Sequence, residues 1–179
     1  MRKSSDSEEI GPKDLNLAVL RGNMRLIKAI LKAGAEADRP YHGRGTATAM
    51  VCAVGRGNAK VLRLLLPHAG KRLDPRLLSN AVNNGHADVV KVLLAKGLKP
   101  TPKDLVSAVT YRHLPVVRLL LAAGVKPTPL AVERAAGVSE GPYLRIVGYP
   151  RDFNRPLLRM LKRAGAKAPP ELREKFEKL

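Results

Sequence analysis

The chain has 179 residues, of which 45% are hydrophobic and 3% aromatic, and its 33 Lys and Arg outnumber 15 Asp and Glu to give a net charge of +18. This hydrophobic content excludes a disordered chain, and the scarcity of aromatic residues favours closely packed helices over a β-sandwich. The positive charge predicts an anionic partner, which could be nucleic acid, an anionic membrane surface or an acidic protein.

Targeting and redox features indicate an intracellular protein. The single cysteine, Cys52, excludes an internal disulfide and fits a reducing compartment. The first residues, MRKSSDSEEIG, lack the apolar stretch of a secretory signal, and no apolar run is as long as a membrane span. We therefore expect a cytoplasmic protein without a membrane span, or a nuclear one if its source is eukaryotic.

Five helix pairs follow a flexible tail that is predicted over residues 1–12. In each pair, a short helix leads through a tight turn into a longer helix. The short helices share an alanine and, three positions earlier, an apolar residue, a spacing that predicts one buried face. The shared alanines are Ala18, Ala53, Ala81, Ala108 and Ala135.

A glycine follows each longer helix. Glycine adopts the left-handed conformation that ends many helices without the steric penalty of a Cβ atom. We therefore predict that each longer helix is closed by a left-handed glycine. These glycines are Gly34, Gly70, Gly97, Gly124 and Gly165.

The copies resemble the ankyrin-repeat family. The clearest match is GHADVVKVLLAKG at 85–97, and TAMVCA at 48–53 stands where the family has Thr-Pro-Leu-His-x-Ala, of which Thr48 and Ala53 are present. The resemblance implies an all-α, ankyrin-like α-solenoid of five helix-turn-helix repeats over residues 13–168. It also implies a protein-interaction module and not an enzyme.

The spacing of the repeats departs from the family pattern. The central helix-ending glycines stand 27 residues apart, against about 33 in the family, so their loops are too short for the β-hairpin finger of an ankyrin repeat. The loop after the first repeat has room for one finger, at 39–46. In the last repeat, residues 137–153 form an insertion between the two helices.

The motif Lys-Pro-Thr-Pro occurs twice, in GLKPTP (97–102) and GVKPTP (124–129). One interpretation is an extended peptide that docks on a partner. The other is a helix boundary, with threonine as N-cap, proline at the first helical position and, in the first copy, Asp104 in a capping box. The boundary explains every residue of the motif, whereas docking explains only the prolines, so we favour the boundary.

The C-terminal segment, residues 169–179, begins with proline at a predicted helix start, as the two Lys-Pro-Thr-Pro motifs do. Leu172, Phe176 and Leu179 lie on one face of a helix predicted there. Because a solenoid must cover the apolar face of its last repeat, we predict that this helix is a C-terminal cap.

Three groups of residues are candidates for partner binding. The family resemblance implies that the ends of the short helices and the finger contact proteins, and Arg, Asn and Tyr are good interface anchors. The insertion adds basic residues interleaved with aromatic ones. The candidates are Arg21, Arg56, Asn84 and Tyr111 at the helix ends, Arg39, Tyr41 and Arg44 in the finger, and Tyr143, Arg145, Tyr149 and Arg151 in the insertion.

A row of basic residues recurs at one phase of the longer helices. A solvated outer face would explain the row, although mixed charge would serve solubility equally well. Both a solvated face and a surface for an anionic partner stay open as interpretations. The row consists of Lys28, Arg63, Lys91, Arg118 and Arg159.

We expect no catalytic, cofactor or metal site. None of the four histidines has a carboxylate or nucleophile at the sequence spacing of a known catalytic motif. His86 and His113 occupy equivalent turns of adjacent repeats, which places them too far apart to share a metal ion. Cys52 stands beside a buried alanine and is predicted to be a core thiol. The glycine-rich stretches lack the strand, helix and lysine of a phosphate-binding loop.

Two functions follow from these features. The first is a non-enzymatic adaptor that binds an acidic protein partner through its concave face and the basic insertion. The alternative is a nucleic-acid-associated protein that uses its basic surface and the same insertion. We favour the adaptor, because protein binding is the usual role of the fold that the resemblance implies.

Overall fold

A computed structural model describes residues 12–39, 48–70, 73–138 and 153–179. The chain divides into two compact units between Leu77 and Leu78. Within the described ranges, every regular element is helical, which confirms the predicted all-α class.

The first unit contains two helix pairs, which are α1 (Pro12–Arg21) with α2 (Met24–Lys32), and α3 (Ala49–Gly55) with α4 (Ala59–Leu65). Besides the contact within each pair, α1 packs against α3 and α2 packs against α4. Equivalent helices of the two pairs therefore stack side by side, which is the arrangement of a repeat protein.

The second unit continues the same pattern. Its helices are α5 (Arg76–Asn83), which begins two residues before the division, α6 (Ala87–Ala95), α7 (Pro102–Thr110), α8 (Leu114–Ala122), α9 (Pro129–Ala135), α10 (Arg155–Arg163) and α11 (Arg173–Glu177). The helix α6 packs against α8, α7 packs against α8 and α9, and α9 packs against α10. Short helices thus stack on short helices, and long helices on long ones.

The predicted buried face of the short helices is confirmed. All five shared alanines are at most 1% exposed, and the apolar residues three positions earlier are at most 2% exposed. A side chain as small as alanine lets stacked helices approach closely, so these positions fix the phase of each repeat.

One or two residues after each short helix, the chain adopts the left-handed conformation, with φ between 59° and 75°. Glycine occupies this position in four of the five pairs, and arginine occupies it in the remaining one. In chain order, the left-handed residues are Gly22, Gly57, Gly85, Arg112 and Gly137.

The prediction that Gly70 closes α4 in the left-handed conformation is wrong, although it is confirmed for the other four glycines, whose φ values are 80–92°. Pro67 follows α4 and has no N–H to donate, and the chain continues as a 3₁₀ turn over Leu66–His68. The N–H of Gly70 donates to Asp38 Oδ2 at 2.7 Å, and a Cβ atom on Gly70 would lie 2.8 Å from that oxygen. The distinctive feature of Gly70 is therefore its close approach to Asp38, and not an unusual φ.

The two Lys-Pro-Thr-Pro motifs are helix boundaries. Thr101 is the N-cap of α7, and Asp104 completes the capping box by accepting the Thr101 N–H at 2.7 Å. Thr128 caps α9 by accepting the N–H of Ala131 at 3.4 Å, without a carboxylate at the third position. In both helices proline is the first residue, as predicted.

The C-terminal segment differs from the single helix that the sequence predicts. A 3₁₀ turn over Pro170–Leu172 comes first, because the adjacent prolines lack the N–H groups that an α-helix uses, and only α11 is α-helical. Phe176 is 5% exposed, and Lys162 Nζ donates to the carbonyl of Glu177 at 2.7 Å. Its role as a cap stays a prediction.

Candidate functional site

The ends of the short helices occupy one equivalent position in each repeat. Arg21 is the last residue of α1, Arg56 and Tyr111 are the C-caps of α3 and α7, and Asn84 directly follows α5. Each stands immediately before the left-handed residue of its turn, and each side chain is exposed. The four residues thus occupy equivalent, exposed positions within their own units, and their role in partner binding stays a prediction.

Tyr111 is held in place by a neighbouring ring. Its side chain is 44% exposed, and its ring stacks on the imidazole of His113 with centroids 5.9 Å apart and planes 20° apart. His113 Nε2 lies 3.1 Å from the carbonyl oxygen of Asn83, which can only accept, so Nε2 carries the hydrogen. The exposed ring of Tyr111 is therefore supported by His113, a contact that the spacing of the sequence does not predict.

Asn84 offers less to a partner than its exposure suggests. Its amide nitrogen donates to the backbone carbonyl of Asn80 at 2.8 Å and to Asn80 Oδ1 at 2.7 Å. Both N–H donors of the side chain are thus used within its own helix. Only its amide oxygen remains for a partner's donor.

Cys52 lies one helical turn before Arg56 on α3. The thiol is half-buried, so the prediction of a core cysteine is wrong: the core at this point is filled by the fully buried Ala53 and Val54. Burial raises the pKa of the Cys52 thiol, and the positive charge of Arg56 partly opposes this effect. Cys52 is therefore a chemical reporter beside a candidate binding residue.

Of the remaining candidates for partner binding, one lies within the described ranges and six lie outside them. Arg39 is described and exposed. The finger residues Tyr41 and Arg44 and the insertion residues Tyr143, Arg145, Tyr149 and Arg151 lie outside the described ranges, so their roles stay predictions.

The predicted basic row is exposed at every position. Each member is the fifth residue of its long helix, that is of α2, α4, α6, α8 or α10. On these five helices Lys and Arg outnumber Asp and Glu by eleven to one, against five to three on the short helices α1, α3, α5, α7 and α9. The helical part of the positive charge is therefore concentrated on the long helices.

An open groove of about 670 Å³ lies in the second unit, beside α10 and α11. Of the six described residues that line it, four are basic, one is aromatic and one is aliphatic. They are Phe153, Arg155, Arg159, Lys175, Lys178 and Leu179. Arg159 thus belongs to both the basic row and this groove, which we call the terminal groove.

The described residues contain no group of three or more His, Cys, Asp or Glu side chains that could hold a metal ion. The one buried carboxylate among them, Asp104, is 5% exposed and serves the fold: it accepts from Thr101 Oγ1 and from Ser79 Oγ at 2.7 Å each. In the same part of the chain, every helix is too short or too polar to cross a membrane.

Comparisons with known proteins agree with this architecture. A family model described as "Ankyrin repeats (3 copies)" matches residues 15–104. The human ASB11 ankyrin repeat domain is 23% identical with a TM-score of 0.62, over 86% of this chain and 69% of that chain. The ankyrin repeat domain of Bcl-3, a member of the IkappaB protein family, is 22% identical with a TM-score of 0.54, over 86% of each chain. Identities this low support the fold alone, and a search of curated proteins found no match.

Proposed function

Because the chain belongs to the ankyrin-repeat family, whose repeats generally bind protein partners, we propose that it is a non-enzymatic adaptor for an acidic protein. The partner contacts the ends of the short helices, which line the concave face of an ankyrin stack, and the basic insertion at 137–153 extends this surface. We place the protein inside the cell, in the cytoplasm or, if its source is eukaryotic, in the nucleus.

The observation that carries this proposal is the shared position of Arg21, Arg56 and Tyr111. All three are exposed directly before the left-handed residue of their turns. Neither the side chain of Arg21 nor that of Arg56 forms an ion pair or hydrogen bond with any residue in the described ranges. Two guanidinium groups without a structural role suit the carboxylates of a partner, to which arginine binds through two parallel hydrogen bonds.

Capture of partners by the full chain tests the proposal. We expect that the triple variant Arg21→Gln, Arg56→Gln, Tyr111→Ala loses a captured acidic protein that the wild type retains after nuclease treatment. The matched control is Lys28→Gln with Arg63→Gln, which removes the same charge from the long helices and should keep the partner. Equal capture by both variants, or loss of the partner on nuclease treatment, would contradict the proposal.

Cys52 supplies an independent measurement. A partner seated over Arg56 shields the half-buried thiol one turn away. We expect that the captured partner slows alkylation of Cys52 in the wild type. Alkylation that stays at its original rate in the complex would place the partner elsewhere.

A further inference from the structure

The terminal groove concentrates positive charge that the fold does not use. No acidic side chain lines it among the described residues. Arg155, Arg159 and Lys175 form no ion pair within those residues, and Lys178 pairs only with Glu174, at 2.5 Å. Both members of that pair are more than 70% exposed, so a ligand can replace the pair at little cost.

The four basic residues of the terminal groove lie on two structural elements, α10 and α11 with its C-terminal end. Arg155 and Arg159 stand four residues apart on α10, so they lie on one face of that helix. Lys175 and Lys178 come from α11 and its end, which the burial of Phe176 and the bond from Lys162 to Glu177 fix against the second unit. Four cations from two elements thus face one space, which predicts an anionic ligand with several charges.

The groove also offers an aromatic ring. Phe153 is half-buried and lines the groove together with Leu179. Proteins that bind single strands combine cations along the backbone with aromatic side chains on which bases stack. The carboxylate side chains of an acidic peptide would pair with the cations but would leave the ring without a planar group to stack on it.

The volume of the groove helps to distinguish between a single strand, a duplex and a folded protein as its ligand. Its volume of about 670 Å³ falls within the roughly 300–1,000 Å³ of small-ligand pockets, which suits a few nucleotides of an extended strand better than a duplex or a folded protein. We infer that the terminal groove binds single-stranded nucleic acid, with the four cations on phosphates and Phe153 under a base.

Binding of a fluorescent ten-nucleotide oligouridylate to the full chain, measured by anisotropy at several salt concentrations, tests this inference. Phe153→Leu keeps the apolar volume but removes the ring, and should weaken binding about five- to hundredfold. Arg155→Gln with Arg159→Gln should weaken binding about tenfold or more and reduce the slope of log K against log salt by about 1.4.

Matched controls separate this site from the general charge of the protein. Lys28→Gln with Arg63→Gln removes the same charge, and Arg63 has the same position in its helix as Arg159, so we expect a change below about threefold at physiological salt. Equal weakening by the two double variants, or no effect of Phe153→Leu, would overturn the inference. So would preferential binding of polyglutamate or of a duplex of equal length.

These variants leave Arg21, Arg56 and Tyr111 intact. Failure of the oligonucleotide experiment therefore leaves the proposed adaptor function untouched. Failure of the partner-capture experiment likewise leaves the inference about the terminal groove untouched.

Discussion

The imidazole of His113 lies against the α-carbon of Gly85, so closely that a Cβ atom placed there would be 2.6 Å from His113 Nδ1. Through its other nitrogen, His113 binds the carbonyl of Asn83 in the same turn. One side chain therefore joins two consecutive turns of the second unit, and it also supports the exposed ring of Tyr111.

The first prediction follows from that contact. Gly85 and Gly97 both have positive φ, but only Gly85 has a neighbour within 4 Å of its missing Cβ. We expect Gly97→Ala to lower the free energy of unfolding by about 1–2 kcal/mol through backbone strain, and Gly85→Ala by about 1–3 kcal/mol more through the clash. Urea unfolding measures both. In a His113→Ala background the excess cost of Gly85→Ala should disappear, and its persistence would show that the ring is not the cause.

The second prediction concerns the buried carboxylate. Asp104 accepts from Thr101 and from Ser79, which is 25 residues away in the sequence. We expect Asp104→Ala to lower the free energy of unfolding by about 2–4 kcal/mol and Ser79→Ala by about 1 kcal/mol. Thr128→Ala, which removes a cap without a capping box, is the matched control and should cost about 1 kcal/mol. Equal costs for Asp104→Ala and Thr128→Ala would contradict this account.

The third prediction tests the unusual role of Gly70. Its N–H donates to the carboxylate of Asp38, which links the loops after α2 and α4 in the first unit. We expect Asp38→Ala to lower the free energy of unfolding by about 1 kcal/mol and to accelerate hydrogen exchange at the Gly70 amide. Glu36→Ala, at a nearby exposed carboxylate, should change neither. If the Gly70 amide still exchanged slowly in the Asp38→Ala variant, an acceptor other than Asp38 would have to protect it.

The fourth prediction concerns the pH dependence of Cys52. Only the thiolate is alkylated, and burial raises the pKa of this thiol, so the native rate should rise at higher pH than the rate of the unfolded chain. The charge of Arg56 lowers the pKa, so Arg56→Gln should move the native profile to still higher pH. Iodoacetamide rates between pH 7 and 10, with and without urea, measure both effects. A shift to lower pH in Arg56→Gln would refute the electrostatic role of Arg56.

The repeat phase could be predicted from the sequence because a buried alanine recurs at one position of every short helix, where close packing leaves room only for a small side chain. The caps were predictable for a similar reason, since Thr101 and Thr128 act on backbone groups within three residues. Gly70 shows the limit of this reasoning. It aligns with the other helix-ending glycines, but Pro67 changes the path of the chain before it.

The terminal groove could be predicted only in part. The basic and aromatic character of the segment around Phe153, Arg155 and Arg159 is visible in the sequence. That Lys175 and Lys178 share a groove with these residues depends on how α11 packs, and helix phase within one segment does not specify such packing. The bond from Ser79 to Asp104 was missed for the same reason.

The short helix α11 gives the terminal groove a thermodynamic property of its own. Five residues are too few for a helix that is stable in isolation, so α11 depends on the burial of Phe176 and on the hydrogen bond from Lys162 to the Glu177 carbonyl. We expect its amides to exchange by local opening, far more readily than those of α7 or α8. Each opening removes Lys175 and Lys178 from the groove, so a ligand held by them must also stabilise α11. Ligand binding to the terminal groove and folding of α11 would then be thermodynamically coupled.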